Sequence, residues 1–394
     1  MSLLLLPALR VAYAEGSITP PEKLPLGGYT ERGFKRMVGV GDDLELRVWI
    51  LRPRGQAPIA LAVMETLTIP ESLRKELQDQ LPSDYRLILC ATHTHCAPDS
   101  QMFNDRMTFA IPGIAKYDPY WLGWTGLRAG EIFRQAIRAQ DLPVPYLGVR
   151  RARLNLNRGR RPGAKPDPLG TRVDFGPRVG FWHYAAHATF YDSSEMRTRG
   201  DWPGAVMATT KAPVLLGPIG DVSPQSPGDT APEKIAAFTR EFRARLAGRP
   251  SRVWKPEDPI NFVEVAIKLP KRRPHPAFAK TYKIPETMAQ NLVERFAPES
   301  AKVGVLRMGS MAVVAVPGEP TAELGRQIQA YGERRGFRPT LVLSHANGWI
   351  GYLLAPNDYD RGGYEANLSF YGRDAGAAVV TTAYRAIDAM SKAK

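Results

Sequence analysis

Apolar and polar positions along the chain switch between the period of strands and the period of helices. DLELRVWILRP and PIALAVMETL are runs rich in Val, Leu and Ile, the composition of buried strands. PESLRKELQDQL follows, with Leu73, Leu77 and Leu81 on one helical stripe, so this stretch predicts a strand, helix, strand unit. The next strand, YRLILCATHTH, is apolar up to Ala91 and polar at its C-terminal end, where open α/β sheets place their ligands. Ahead of these elements, RVAYAEGSITPPEKLPLGGY reads as a short strand and then a loop. Pro20, Pro21 and Pro25 forbid regular ladder bonding there, and the loop is expected to wall a site.

Further along, PYWLGWTGLRAGEIFRQAIRAQ and TAPEKIAAFTREFRARLAG predict amphipathic helices, the second with Ile235, Phe238, Phe242 and Leu246 in phase and Gly248 as a stop. Strands are expected in VGFWHYAAHATFY and APVLLGPIGDVSP. INFVEVAIKL has period-two character, MAVVAVPGEPTAEL is strand, turn and helix, TLVLSHANG is a strand, and AGAAVVTTAYRAIDAM is a closing helix. There is no internal repeat. KLPKRRPHPAF is the best candidate for a linker, but nothing points to two independent cores.

With 394 residues, 44% of them apolar and 23% charged, the chain can bury a large core and is neither disordered nor fibrous. It reads as one mixed α/β domain, or two intimate ones. Cys90 and Cys96 are the only cysteines, which excludes a disulfide framework and leaves a single bridge open. MSLLLLPALR lacks a basic n-region and is a poor signal peptide, and no window reaches the roughly 18 apolar residues of a membrane span. The chain is expected to be soluble or peripheral, its compartment open with the cytoplasm favoured.

Lys and Arg number 53 against 39 Asp and Glu, a net charge of +14 that will attract anionic partners. Arg150, Arg151, Arg153, Arg158, Arg160, Arg161 and Lys165 carry much of it. Without interleaved aromatics or a nucleic-acid module, this stretch reads as a solvated basic loop, with no nucleic acid expected and peripheral contact with an anionic membrane or substrate as the second reading.

The sharpest chemical signal is His93-Thr94-His95. Alternate strand residues face one side, so both imidazoles are expected in one cavity, as for a metal or substrate site, although two core histidines bonded to carbonyls would give the same letters. His187 and His183 share a second polar break, and either could complete a site. Glu319 projects from a proline-fixed turn in VPGEPT, where a carboxylate near a helix N-terminus is the plain alternative. GPIGDVSP presents Asp221 and Ser223 in a tight turn but is no G-x-S-x-G elbow. Asn347, Tyr352, Tyr359 and Tyr364 crowd a late loop-rich stretch whose phenols could face an oxyanion.

ATHTHCAP, HYAAHATFY, LNLNRGRRP, GDVSP, VPGEPT and NGWIGYLLAPNDYDRGGYE follow in the order and comparable spacing of the ATHTHSGP, HATS, NRSP, GDVSPN, PGE-x-T and YE motifs of the neutral non-lysosomal ceramidases, which the chain resembles over nearly its whole length. The resemblance implies an α/β fold of mixed β-sheets flanked by helices. It implies one catalytic domain, residues 1–394, without the C-terminal immunoglobulin-like domain. It also implies one zinc ion (Zn2+) and hydrolysis of an N-acyl amide, in a ceramide-like lipid or a related N-acyl amine. His93, His187, Glu319 and Tyr352 would be the metal ligands. His95 would polarise substrate or transfer a proton, Tyr364 would face the oxyanion, and Arg158 and Ser223 would line the pocket. Such an N/O donor set suits zinc, which lowers the pKa of bound water toward about 7.

Cys96 stands where the family has serine, Ala97 replaces glycine, and Asp99-Ser100 replaces Gly-Gly, so the first loop is stiffer and differently charged, and a shallower cleft is expected. Two other classes compete. One is a metal-independent serine hydrolase or esterase using Ser223. The other is a non-catalytic protein that binds polyanions or membrane surfaces through its charge. A metallo-β-lactamase is disfavoured, because its H-x-H-x-D-H run needs Asp at Ala97.

Overall fold

The computed structural model describes residues 8–254 and 259–392, and the leucine run at residues 3–6 lies outside them. A five-stranded sheet takes the spatial order Arg86–Ala91, Ile59–Met64, Glu45–Pro53, Leu9–Ser17, Leu142–Pro143. Its ladders are antiparallel except between Ile59–Met64 and Arg86–Ala91. Both faces are covered, which explains why these strands read as continuous apolar runs. In Glu45–Pro53 the alternation is strict: Leu46, Val48 and Ile50 enter one apolar cluster, and Trp49 and Leu51 enter another. The first cluster packs against the helices Glu71–Asp79 and Pro119–Arg138, through Leu73, Leu77, Ile132 and Phe133.

The second cluster joins this sheet to another of five strands, in the order Val214–Leu216, Arg178–Tyr184, Leu169–Phe175, Leu147–Arg153, Arg252–Trp254. The helix Ala231–Leu246 covers it with the in-phase side chains Ile235, Phe238, Phe242 and Leu246. It opens on a capping box between Thr230 and Glu233. A four-stranded sheet, Ile260–Ala266, Lys302–Met308, Met311–Ala315, Thr340–Leu343, carries a third cluster under the helices Ala322–Arg334 and Ala375–Lys392. The architecture is mixed α/β, several mixed sheets flanked by helices.

Two local expectations change, and the open question of a disulfide closes. Arg150, Arg151 and Arg153 lie on a strand inside the second sheet rather than in a solvated loop, with Arg151 3.6 Å from Asp167. The proline-rich KLPKRRPHPAF is held against the body of the fold, where the Arg273 N–H donates to the Phe370 carbonyl and His275 is buried. Cys90 and Cys96 are both buried free thiols. Among the described residues no helix is long and apolar enough to cross a membrane.

Candidate metal centre

Three turns, one following a strand of each large sheet, meet a short two-stranded ladder at one buried point. Arg86–Ala91 ends two residues before His93, whose φ of +55° places it in the left-handed region. The two imidazoles of the His-x-His motif therefore converge by a sharp turn and not by strand alternation, and their Nε2 atoms lie 3.3 Å apart. Such a backbone costs a β-carbon-bearing residue about 1–3 kcal/mol, which marks a conformation imposed by its surroundings. His187 follows the strand Arg178–Tyr184. Glu319 and Tyr352 come from the parallel pair of short strands Glu319–Pro320 and Tyr352–Leu353, in direct register. His345 follows Thr340–Leu343, also in the left-handed region with a φ of +49°.

Two imidazoles are oriented through their Nδ1 atoms: His93 bonds the Leu67 carbonyl at 2.7 Å and His187 the Val222 carbonyl at 3.0 Å. Such bonds leave Nε2 as the free lone pair, the usual arrangement of a metal-binding histidine. His187 Nε2 and His93 Nε2 lie 3.4 and 3.7 Å from Glu319 Oε2. His187 Nε2 and Glu319 Oε2 are buried without a hydrogen-bond partner, an arrangement that is costly unless something fills the space between them. Glu319 Oε1 accepts from Trp349 Nε1 at 3.0 Å, which fixes the carboxylate plane.

Burial lowers the proton affinity of all four clustered imidazoles, and well below the ordinary value for His95, His187 and His345, so they stand neutral with lone pairs available. At Glu319 burial pushes the carboxyl upward, but His93 and His345 together with bonds from Trp349 and Tyr352 outweigh it, and the group ionises below its usual range. The Tyr352 phenol is raised by burial and by Glu319, while Arg160 opposes. Two three-donor groups, His93 with His95 and His187, and His93 with Glu319 and His345, each have their ligand atoms within 4.8 Å of one another. Neutral imidazoles, an ionised carboxylate and a buried phenol fit a borderline divalent cation such as zinc.

The remaining expected site residues are placed as follows. His95 is buried beneath Tyr29, ring centroids 4.7 Å apart. Tyr364 bonds Tyr352 through its hydroxyl, and burial of that hydroxyl pushes its pKa up to about 12, although the ring is 54% exposed. Ser223, 8% exposed, sits in register opposite Arg158, which is exposed. Arg160, two residues on, reaches the centre instead, bonding Tyr352. Ring-nitrogen bonds of the histidines run to backbone atoms or between His93 and His95, and none to the Ser223 hydroxyl among the described residues. His183 is a core group bonded to the Val342 carbonyl, Asp221 accepts from the Ala322 N–H at the start of a helix, and Asn347 accepts from the Leu89 N–H. Tyr359 packs on His275.

Sequence reasoning overlooked His345, Arg160 and Trp349. His345 carries the signal that singled out His93, a histidine just past an apolar strand. A cavity of about 1220 Å3 lined by Glu65, Trp182, Asp201 and Arg240 contains none of the clustered histidines.

No protein-family model matches the chain. Neutral ceramidase of Mycobacterium tuberculosis (strain ATCC 25618 / H37Rv) is 27% identical over 103 residues, a match spanning 25% of this chain and only 16% of that protein. Neutral ceramidase from Pseudomonas aeruginosa superposes with a TM-score of 0.81 at 16% identity, over 98% of this chain and 75% of that one. A ceramidase complexed with C2 superposes with a TM-score of 0.82, at the same identity and coverage. The chain has the fold of these ceramidase structures.

Proposed function

We propose that the protein is a zinc-dependent amide hydrolase that cleaves an N-acyl amine of ceramide type. The observation that carries this reading is the pair of buried, unpartnered atoms His187 Nε2 and Glu319 Oε2, 3.4 Å apart with His93 Nε2 beside them. Likeness to ceramidases supports the substrate class, a lipid amide.

His93, His187, Glu319 and Tyr352 would hold the ion. The chemistry zinc supplies when bound is Lewis acidity toward water and a carbonyl oxygen. The chain's own groups do the rest. His95, neutral and with Nε2 turned to the same space, takes or returns a proton at that atom. Tyr364 keeps its hydroxyl proton at neutral pH and donates it as a hydrogen bond to a developing oxyanion, and the Arg160 guanidinium adds fixed positive charge next to Tyr352. Ser223 and Arg158 line the approach on paired strands. The +14 charge would favour peripheral contact with an anionic lipid surface.

The test joins elemental analysis of the purified protein to a hydrolysis screen of N-acylsphingosines, short N-acyl amino acids and aryl esters. Expected are bound zinc, turnover of the N-acylsphingosines, and loss of both in His93→Ala and Glu319→Ala. Activity that survives exhaustive chelation but disappears in Ser223→Ala overturns the reading in favour of a serine hydrolase. A protein that turns over nothing in the screen and binds polyanions with steep salt dependence overturns it in favour of a binding role.

A further inference from the structure

His345 takes no part in the chemistry above, yet it is the least satisfied side chain of the centre. It is fully buried, and neither Nδ1 nor Nε2 has a hydrogen-bond partner. His93, His183 and His187, equally enclosed, each bond a backbone carbonyl. Glu319 Oε1, at 3.9 Å from His345 Nε2, lies beyond hydrogen-bond reach. The position is not slack. The Ala91 N–H donates to the His345 carbonyl, and the His345 N–H donates to the Gly318 carbonyl, so its backbone is pinned between the turns that carry His93 and Glu319. An apolar ring would fill the space without stranding two polar atoms.

The ring orientations indicate what the nitrogens could serve. His345 stacks on His93 with centroids 3.9 Å apart and planes inclined by 21°. An imidazole lone pair lies in the plane of its ring, so two nearly parallel stacked rings aim at adjacent points, not at a common one. Those points are separated by about the stacking distance, and paired metals in hydrolytic sites lie about 3.5–4 Å apart. The carboxylate repeats this division: Glu319 Oε2 faces His93 and His187, whereas Oε1 faces His345. The two three-donor groups of the centre share His93, one adding His95 and His187 and the other adding Glu319 and His345.

We propose that the centre accepts a second divalent cation, held by His345 and Glu319 Oε1, with the Glu319 carboxylate bridging it to the ion of the first position. This rests on the metal-dependent reading above. The cation belongs to the borderline class that takes imidazole and carboxylate together, zinc, manganese or cobalt.

The experiment is a titration of the chelated full chain with Mn2+ and, separately, Zn2+, counting bound equivalents by equilibrium dialysis and elemental analysis, for the wild type, His345→Leu and His345→Gln. The manganese samples are also measured by electron paramagnetic resonance. The expected result is two equivalents and an exchange-coupled spectrum in the wild type, falling to one equivalent and an isolated-ion spectrum in both variants. One equivalent in all three proteins, or two in all three, overturns the second position while leaving the first intact. No bound metal in the wild type overturns the metal-dependent reading and this proposal with it. Should both variants fail to fold, the wild-type spectrum alone decides, an uncoupled signal at saturation counting against the bridge.

Discussion

Glu319 and Tyr352 face each other in direct register across a two-stranded parallel ladder, so one backbone pairing sets both the carboxylate and the phenol at the centre. The hydrogen bond from Trp349 then holds the carboxylate plane. Trp349→Phe removes that bond and keeps most of the packing. It is expected to lower zinc affinity about 10-fold to 100-fold, the usual effect of losing a partner behind a ligand, with little change in fold. Competition with a chromophoric chelator measures it, and unchanged affinity would show that Trp349 only packs.

Tyr364 is protonated at neutral pH and bonded to Tyr352. Tyr364→Phe should keep its full metal content and lose about 100-fold to 1000-fold in kcat, with KM nearly constant, as for removal of one donor to an oxyanion. Steady-state kinetics beside elemental analysis checks this. A variant with wild-type kcat would remove the phenol from the reaction.

Gly28 has a φ of +90°, and a β-carbon there would lie 2.4 Å from His95 Nδ1. Gly28→Ala therefore combines a strained backbone with a clash against a rigid ring. A stability loss of about 1–3 kcal/mol and a large loss of turnover are expected, with metal retained. Urea denaturation and kinetics on the same preparation distinguish this from simple unfolding.

Arg32 is a buried guanidinium that ties the loop over the centre to two other segments, donating to the carbonyls of Gly27 at 2.7 Å, His95, and Glu195 at 2.9 Å. Arg32→Met strands those carbonyls away from water. We expect a loss on the order of 3 kcal/mol in urea denaturation, from several unmade bonds at about 1–3 kcal/mol each. Lysine should rescue little, because one ammonium cannot reproduce the planar fork. A loss below about 0.5 kcal/mol would show the clamp to be dispensable.

Two groups of opposite sign govern stability against pH in the metal-free protein. The clustered histidines have folded pKa values depressed by burial below the ordinary 6.5, so the unfolded chain takes up protons first as pH falls. Stability should be level above that value and drop steadily below it, and His345→Leu should drop less steeply. Glu65 runs the other way: burial raises its carboxyl from 4.5 to about 8, so it opposes folding increasingly as pH climbs between those values. Glu65→Gln, which mimics the neutral acid, should gain on the order of a few kcal/mol over the wild type at pH 8 and almost nothing at pH 4.5. Denaturation series across pH with the three proteins measure both effects, and parallel curves would contradict them.

The elements that the hydrophobic pattern predicts well are those whose period survives burial. The helices Glu71–Asp79 and Ala231–Leu246 keep one apolar stripe each, and the strands Glu45–Pro53 and Ile59–Met64 are apolar on both faces because both faces are covered. The strand Leu147–Arg153 escapes that pattern. Its three arginines read as solvated charge, and its ladders with Leu169–Phe175 and Arg252–Trp254 reveal it as a strand.

The same division runs through the centre. The letters of the chain alone pointed to His93 and His95, to His187 or His183, to Glu319, to Asp221 and Ser223, and to a late stretch holding Asn347, Tyr352, Tyr359 and Tyr364, and the choice among them came from the resemblance to the ceramidases. Which of two neighbouring arginines reaches Tyr352, and the stacking of His345 on His93, were decided by the fold. Periodicity is a local property that a linear sequence records directly. The direction of a side chain beyond a strand end depends on turns such as the left-handed backbone at His93 and His345, and those are set by contacts between segments distant in the chain.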